Sequence, residues 1–162
     1  QLRSGFPINV VSSSIAIPGV TSNTFLRPDL VQGKPIWLTG DQYPGRKALN
    51  TAAFDAATPN SQGRQGNLGR NALSGFGMRG IDLSLSRAFN LADKCVIRFR
   101  TDAFNIFNHP NFANPISNLS LATFGLSTQT LNQGLSGFGG GLNPLYQVGG
   151  PRSLQLSIKV QF

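Results

Sequence analysis

The chain has 162 residues, with 14 Lys and Arg set against 6 acidic groups, a formal net charge of +8. With no Glu but 19 Gly and 10 Pro, it has too few helix formers and too many breakers for a helical bundle. Its 40% apolar content is too high for a disordered tail, and one Cys with one His excludes both an internal disulfide and a Cys/His zinc site.

The elements follow in chain order. Phe6 to Ile17 is rich in β-branched residues and reads as a strand over about 5–17. A long segment, 18–78, follows; within it Ile36 to Thr39 reads as a short strand after Pro35. Residues 79–90 alternate, with Ile81, Leu83 and Leu85 on one side and Asp82, Ser84 and Ser86 on the other, ending in Phe89. Leu91-Ala92-Asp93 then makes a tight hairpin. Residues 94–107 set Cys95, Ile97, Phe99, Thr101 and Ala103 against Arg98, Arg100 and Asp102. A second long segment, 108–151, carries Gly139-Gly140-Gly141 and Gly149-Gly150-Pro151. The last strand, 152–162, is the cleanest: Leu154, Leu156, Ile158, Val160 and Phe162 alternate with Gln155, Ser157, Lys159 and Gln161.

Long loop, short turn, long loop is the asymmetry of an outer-membrane barrel, and segments of this length are uncommon in compact soluble domains. Alternation alone fits two architectures. In a soluble sandwich the apolar face packs on a core, and in a barrel it meets lipid while the polar face lines the lumen. The Arg98, Arg100 and Asp102 cluster suits an interior where neighbouring strands pair opposite charges. Phe89, Phe104, Phe107 and Phe162 near strand ends suit an aromatic girdle, and only 12% of residues are charged. No run approaches 18 apolar residues, so no transmembrane helix is expected. The chain opens at Gln1 with neither an initiator Met nor a signal peptide, and reads as a mature product, a processed piece or a fragment.

Several motifs favour bland readings. Gly75-Phe76-Gly77-Met78-Arg79-Gly80 fits the dinucleotide fingerprint, but a strand rather than a helix follows it, so the glycines read as bends at a barrel rim. Leu73-Ser74-Gly75-Phe76-Gly77 recurs as Leu135-Ser136-Gly137-Phe138-Gly139, which is weak evidence of a repeat. His109, between Asn108 and Pro110, has no partner for metal or triad chemistry and reads as a loop hydrogen-bonding residue. No Asp pair is placed for acid–base work, Cys95 reads as a small apolar residue, and Asn118-Leu119-Ser120 is no more than a formal glycosylation sequon. The cations scatter from Arg3 to Lys159 with no basic run, which argues against nucleic acid and for a basic lumen or attraction to anionic outer-leaflet lipid.

Some stretches resemble a known family. Gly66-Asn67-Leu68-Gly69-Arg70-Asn71, then Gly75-Phe76-Gly77 and Ile81-Asp82-Leu83-Ser84-Leu85, resemble the end of TonB-dependent outer-membrane receptors, especially the Oar-like type with a carboxypeptidase-regulatory-like domain. Residues 98–112, through Phe104-Asn105-Ile106-Phe107-Asn108-His109-Pro110-Asn111-Phe112, are similar to that family's penultimate strand and its exit. The ending 152–162 resembles the C-terminal strand read by barrel-assembly machinery, and residues 5–9 and Asn50-Thr51-Ala52-Ala53-Phe54 also fit.

The resemblance implies an all-β fold of antiparallel strands with long irregular loops, the C-terminal segment of a transmembrane β-barrel or a strand-sharing assembly of it. It implies a barrel wall and external loops (18–78 and 108–151) taking part in ligand binding and uptake at the bacterial outer membrane. Leu154, Leu156, Ile158, Val160 and Phe162 would be the barrel-assembly signal, facing lipid or a partner; Arg98, Arg100 and Asp102 would line the interior. No catalytic, cofactor or metal residue is expected, and the chain is not expected to be an enzyme. Partners would be the remainder of the barrel or identical copies through strand edges, outer-membrane lipid, and TonB through N-terminal parts missing from this sequence; no nucleic acid is expected. Such receptors carry about 22 strands and a plug, whereas four strands, no plug and no TonB box are read here. Four strands cannot close a barrel, so a self-assembling extracellular fibre or oligomer is the alternative, and a soluble sugar-binding sandwich a third reading.

Overall fold

The computed structural model describes residues 1–12, 14–15, 24–92, 95–135 and 148–162. Its centre is a three-stranded antiparallel ribbon of β1 (Leu83–Ala92), β2 (Cys95–Phe104) and β3 (Ser153–Gln161), in the order β1-β2-β3. Ten residues in each of β1 and β2 and nine in β3 match the 9–11 residues with which a tilted strand crosses a bilayer. No helix of the described residues is long and apolar enough to cross a membrane.

The register aligns the alternation across all three strands. Leu83, Ala103 and Leu154 lie in one row, Leu85, Thr101 and Leu156 in the next, then Arg87, Phe99 and Ile158, then Phe89, Ile97 and Val160. Successive side chains point to opposite faces, so these rows share one face. The other face holds Ser84, Asp102 and Gln155; Ser86, Arg100 and Ser157; and Ala88, Arg98 and Lys159. The register shifts between Asn90 and Ala92. A bulge of this kind increases local twist just before the hairpin.

The remaining described segments fold into a cap at the end of the ribbon where β1 and β3 begin and β2 ends. Two- and three-residue strands pair antiparallel: Leu2–Arg3 with Met78–Arg79, Pro7–Ile8 with Leu73–Ser74, Ser14–Ile15 with Thr24–Phe25, Asp29–Leu30 with Phe54–Asp55, and Trp37–Thr39 with Lys47–Leu49. Pairing disposes of backbone donors and acceptors that a packed segment cannot leave unmade. The cap has its own apolar core of Ile8, Val10, Leu49, Ala53, Phe54, Leu68, Leu73 and Phe124. Phe54 and Phe124 meet edge to face with centroids 5.7 Å apart, a favoured aromatic geometry. Gly125 closes this core at φ +80°, its carbonyl 3.0 Å from the Leu49 amide, and a Cβ there would run into the Leu49 backbone.

The structure corrects one element. The strand expected over 5–17 is two short pieces, Pro7–Ile8 and Ser14–Ile15. Ile8 and Val10 are buried in the cap core, so the apolar residues of this segment serve that core and not the ribbon. The short strand at 37–39 is present. Asp93 and Lys94 of the hairpin, residues 16–23 and residues 136–147, including most of the second Leu-Ser-Gly-Phe-Gly copy, lie outside the described residues.

Candidate functional site

The ribbon is the chemically distinctive feature because, among the described residues, much of both faces is exposed. On the apolar face Leu83, Leu85, Leu154, Leu156, Ile158 and Val160 are 50% to 72% exposed, and Phe162 is fully exposed. A contiguous apolar patch of this kind is not left in water by a stable protein. Arg87 is the exception in it, its guanidinium 5.2 Å from the Phe89 ring centroid, which in turn meets Phe99 edge to face at 5.8 Å.

On the polar face Arg98, Arg100 and Asp102 do fall together, since all three occupy even positions of β2. Pairing across strands, as expected from the sequence, is not how the charges meet. Arg100 and Asp102 bond along the same strand, Nε and Nη2 donating to the carboxylate at 2.8 to 3.0 Å. Arg98 stands opposite Lys159, which leaves two like charges side by side on an open face. Like charges directly opposite repel, so this end of the face favours an anion or water-filled space.

Cap and ribbon are joined by residues of the Phe104–Phe112 stretch. Asn105 is 5% exposed and takes φ +47°, a conformation in which Asn is enriched. Its backbone amide donates to Asp82 Oδ1 at 2.9 Å, its Nδ2 donates to the carbonyls of His109 and Gly150 at 2.9 Å each, and its Oδ1 accepts from the His109 amide at 3.0 Å. The Asn105 side chain therefore ties β2 to the turn that precedes β3, and its amide ties β2 to the start of β1. Asn111, also buried, accepts the Arg79 amide at 2.8 Å and donates to the His109 carbonyl. Sequence reasoning did not single out these two amides. The signal was the recurrence of Asn at 105, 108 and 111 on leaving a strand, two of them with positive φ.

The cap adds polar clusters. Arg64 forks onto Asp29, with Nη2 to Oδ2 at 2.6 Å and Nη1 to Oδ1 at 3.1 Å, while the Asn67 amide donates to Asp29 at 2.7 Å. The Arg64 guanidinium, with the Asn67 amide behind it, holds the Asp29 carboxyl below its ordinary range. Asn67 Oδ1 accepts the Leu30 amide, and Asn50 bonds both the Pro35 carbonyl and the Ala52 amide. Lys47 reaches over the Trp37 ring at 4.1 Å, and burial pushes its ammonium below the usual lysine range.

Two clefts open in the cap. One, of about 480 Å³, lies between Phe25, Arg27, Gln65, Arg70 and Asn118; the other, of about 630 Å³, lies between Arg46, Phe76, Arg79, His109 and Phe112. Among the described residues no group of three or more His, Cys, Asp or Glu could hold a metal ion. Cys95, half-buried, is a free thiol.

The model of the outer membrane beta barrel domain family matches residues 1–155. No curated protein and no solved structure matches the chain. The match covers the cap, β1, β2 and the first residues of β3, and agrees with antiparallel strands of membrane-crossing length: the chain belongs to the outer membrane beta barrel domain family, a barrel-type protein of the bacterial outer membrane.

Proposed function

We propose that the chain supplies barrel wall and external loops to a TonB-dependent receptor-like protein that binds and imports a ligand. The observation that carries the reading is the two-faced ribbon: one face is Leu, Ile, Val and Phe in register across three strands, the other Ser, Gln, Arg, Asp and Lys. With the first face against acyl chains, Leu154, Leu156, Ile158, Val160 and Phe162 meet lipid and carry the pattern that assembly machinery reads. Arg98, Arg100 and Asp102 then line the lumen. The cap, at the end opposite the short hairpin, faces outward, and its clefts offer Arg, amide and aromatic groups to a polar ligand. This role is binding and passage and is not enzymatic. The direct test is cross-linking of the full-length protein, in detergent, to a purified periplasmic TonB domain. A ligand-dependent cross-link supports import; no cross-link under any condition leaves a passive barrel and refutes it.

A second reading is favoured by one observation. Among the described residues the outer edges of β1 and β3 have no strand beside them, and open edges recruit strands. Copies of the chain joined through those edges would form an extracellular oligomer or fibre. Gel filtration of the 162-residue chain without detergent decides: discrete oligomers or fibres support this reading, and a strict detergent requirement supports the barrel.

A further inference from the structure

The larger cleft lies at a particular height on the molecule. Arg79 is two residues before Ile81, which is half exposed, and four before Leu83, where the apolar face of β1 begins. His109 and Phe112 lie five and eight residues beyond Phe104, where β2 ends. The cleft therefore sits at the border between cap and apolar face, where a bilayer presents headgroups.

Its lining is basic and aromatic. Arg46, Arg79 and His109 contribute side chains, all on exposed residues, and among the described residues that line it none carries a carboxylate. Phe76 and Phe112, with centroids 5.7 Å apart, form an apolar wall. Gly45 at φ +67° lets its turn close onto these rings, for a Cβ there would clash with both. Behind the wall the Lys47 ammonium sits 5.1 Å from the Phe76 ring and donates to the Gly75 carbonyl at 3.3 Å. The frame is fixed: Asn111 holds the Arg79 backbone and Asn105 holds that of His109. One carboxylate is near, that of Asp41, which bonds Arg46 at 2.7 Å with both side chains largely exposed. An exposed pair of this kind is worth little and opens readily to a stronger anion.

We propose that this cleft binds the phosphorylated sugar headgroup of an outer-leaflet lipopolysaccharide, the guanidiniums of Arg79 and Arg46 taking the phosphate and the Phe76–Phe112 wall taking the sugar face. Guanidinium matches phosphate bidentately, and basic pockets beside a membrane-spanning surface are a recurrent way of holding lipid headgroups. The proposal rests on the reading that the cap faces outward.

The test uses the full-length protein in detergent, titrated with lipopolysaccharide, with the same lipopolysaccharide after enzymatic removal of its phosphates, and with inorganic phosphate. The phosphorylated form should bind about tenfold or more tightly than the dephosphorylated one, and Arg79→Gln and Arg46→Gln should each lose about tenfold. Lys34→Gln, an exposed change elsewhere in the cap, should bind as the parent does. Equal binding by the two lipid forms, or unchanged binding by both arginine variants with parental circular dichroism, overturns the proposal. Complete displacement by millimolar inorganic phosphate also overturns it, in favour of a free-anion site. Labelling of a Lys34→Cys variant on intact cells with a membrane-impermeant maleimide separates this from the orientation: no labelling refutes the outward cap whatever the binding result.

Discussion

The backbone amide of Asn105 donates to the carboxylate of Asp82 at 2.9 Å, a side-chain bond that fastens β2 to β1 just beyond the Leu83–Ala103 end of the strand ladder. The Asn105 amide group meanwhile holds His109 and Gly150. Asn105→Ala removes three side-chain hydrogen bonds, of which the one to Gly150 is buried and the two to His109 are part-buried, at a cost of about 1–3 kcal/mol for a buried group left unsatisfied. The expected outcome is faster amide exchange at His109 with the exchange of β2 itself unchanged. Asn105→Gly keeps the positive φ but not the bonds, and should behave like Asn105→Ala; parental protection in both variants would show that the clamp is not needed.

The Asp29–Arg64 fork gives a pH dependence. Asp29 has its pKa lowered, chiefly by the Arg64 hydrogen bond, so the folded carboxylate holds its proton less tightly than the unfolded one. The stabilisation is fully present above the unfolded value, about 3.9, and is lost as pH falls through the lower folded value. Arg64→Gln should therefore increase amide exchange at Asn67 and Leu68 at neutral pH, and the difference from the parent should shrink as pH falls through the lowered folded value. A difference that persists undiminished in acid would contradict the assignment.

Lys47 over Trp37 can be followed optically, because Trp37 is the sole tryptophan. Lys47→Met keeps the aliphatic bulk while removing both the cation–π contact with Trp37 and the desolvated ammonium. The lowered lysine pKa means that stability in the parent rises with pH between the folded and unfolded lysine values, as the burden of a desolvated ammonium is lifted. Lys47→Met should lack that rise, read as the pH dependence of the Trp37 emission transition in denaturant.

The apolar face gives opposite predictions for neighbouring residues. Leu156→Arg should destabilise the inserted protein by about 2–4 kcal/mol, while Ser157→Arg, next in the strand but on the other face, should cost far less. Arg87→Leu should stabilise it, since Arg87 lies midway along β1 on the apolar face, in one row with Phe99 and Ile158 and beside the Phe89 ring. Urea titration of the protein in bilayers, with heat-modifiable gel mobility as the readout, measures all three.

The ribbon was legible because period-2 alternation is a local property: Leu154 through Phe162 reveal their face without knowledge of any neighbour. Charge pairing was not, since Arg98 opposite Lys159 and Arg100 bonded along its own strand depend on register. The cap was illegible for a different reason. Its strands are two or three residues long, too short to show a period. It is stitched by Asn50, Asn67, Asn105 and Asn111, whose partners lie up to 45 residues away. Ile8 and Val10 looked like part of a long strand because burial in a small core and burial in a sheet leave the same β-branched residues.

The central claim, that the apolar face of the ribbon lies against lipid, is tested most directly by tryptophan scanning of positions 154–161 in a Trp37→Phe background, with the full-length protein in bilayers of brominated lipid. The account predicts strong quenching at 154, 156, 158 and 160 and weak quenching at 155, 157, 159 and 161. Uniform quenching, or quenching with the opposite phase, would contradict it.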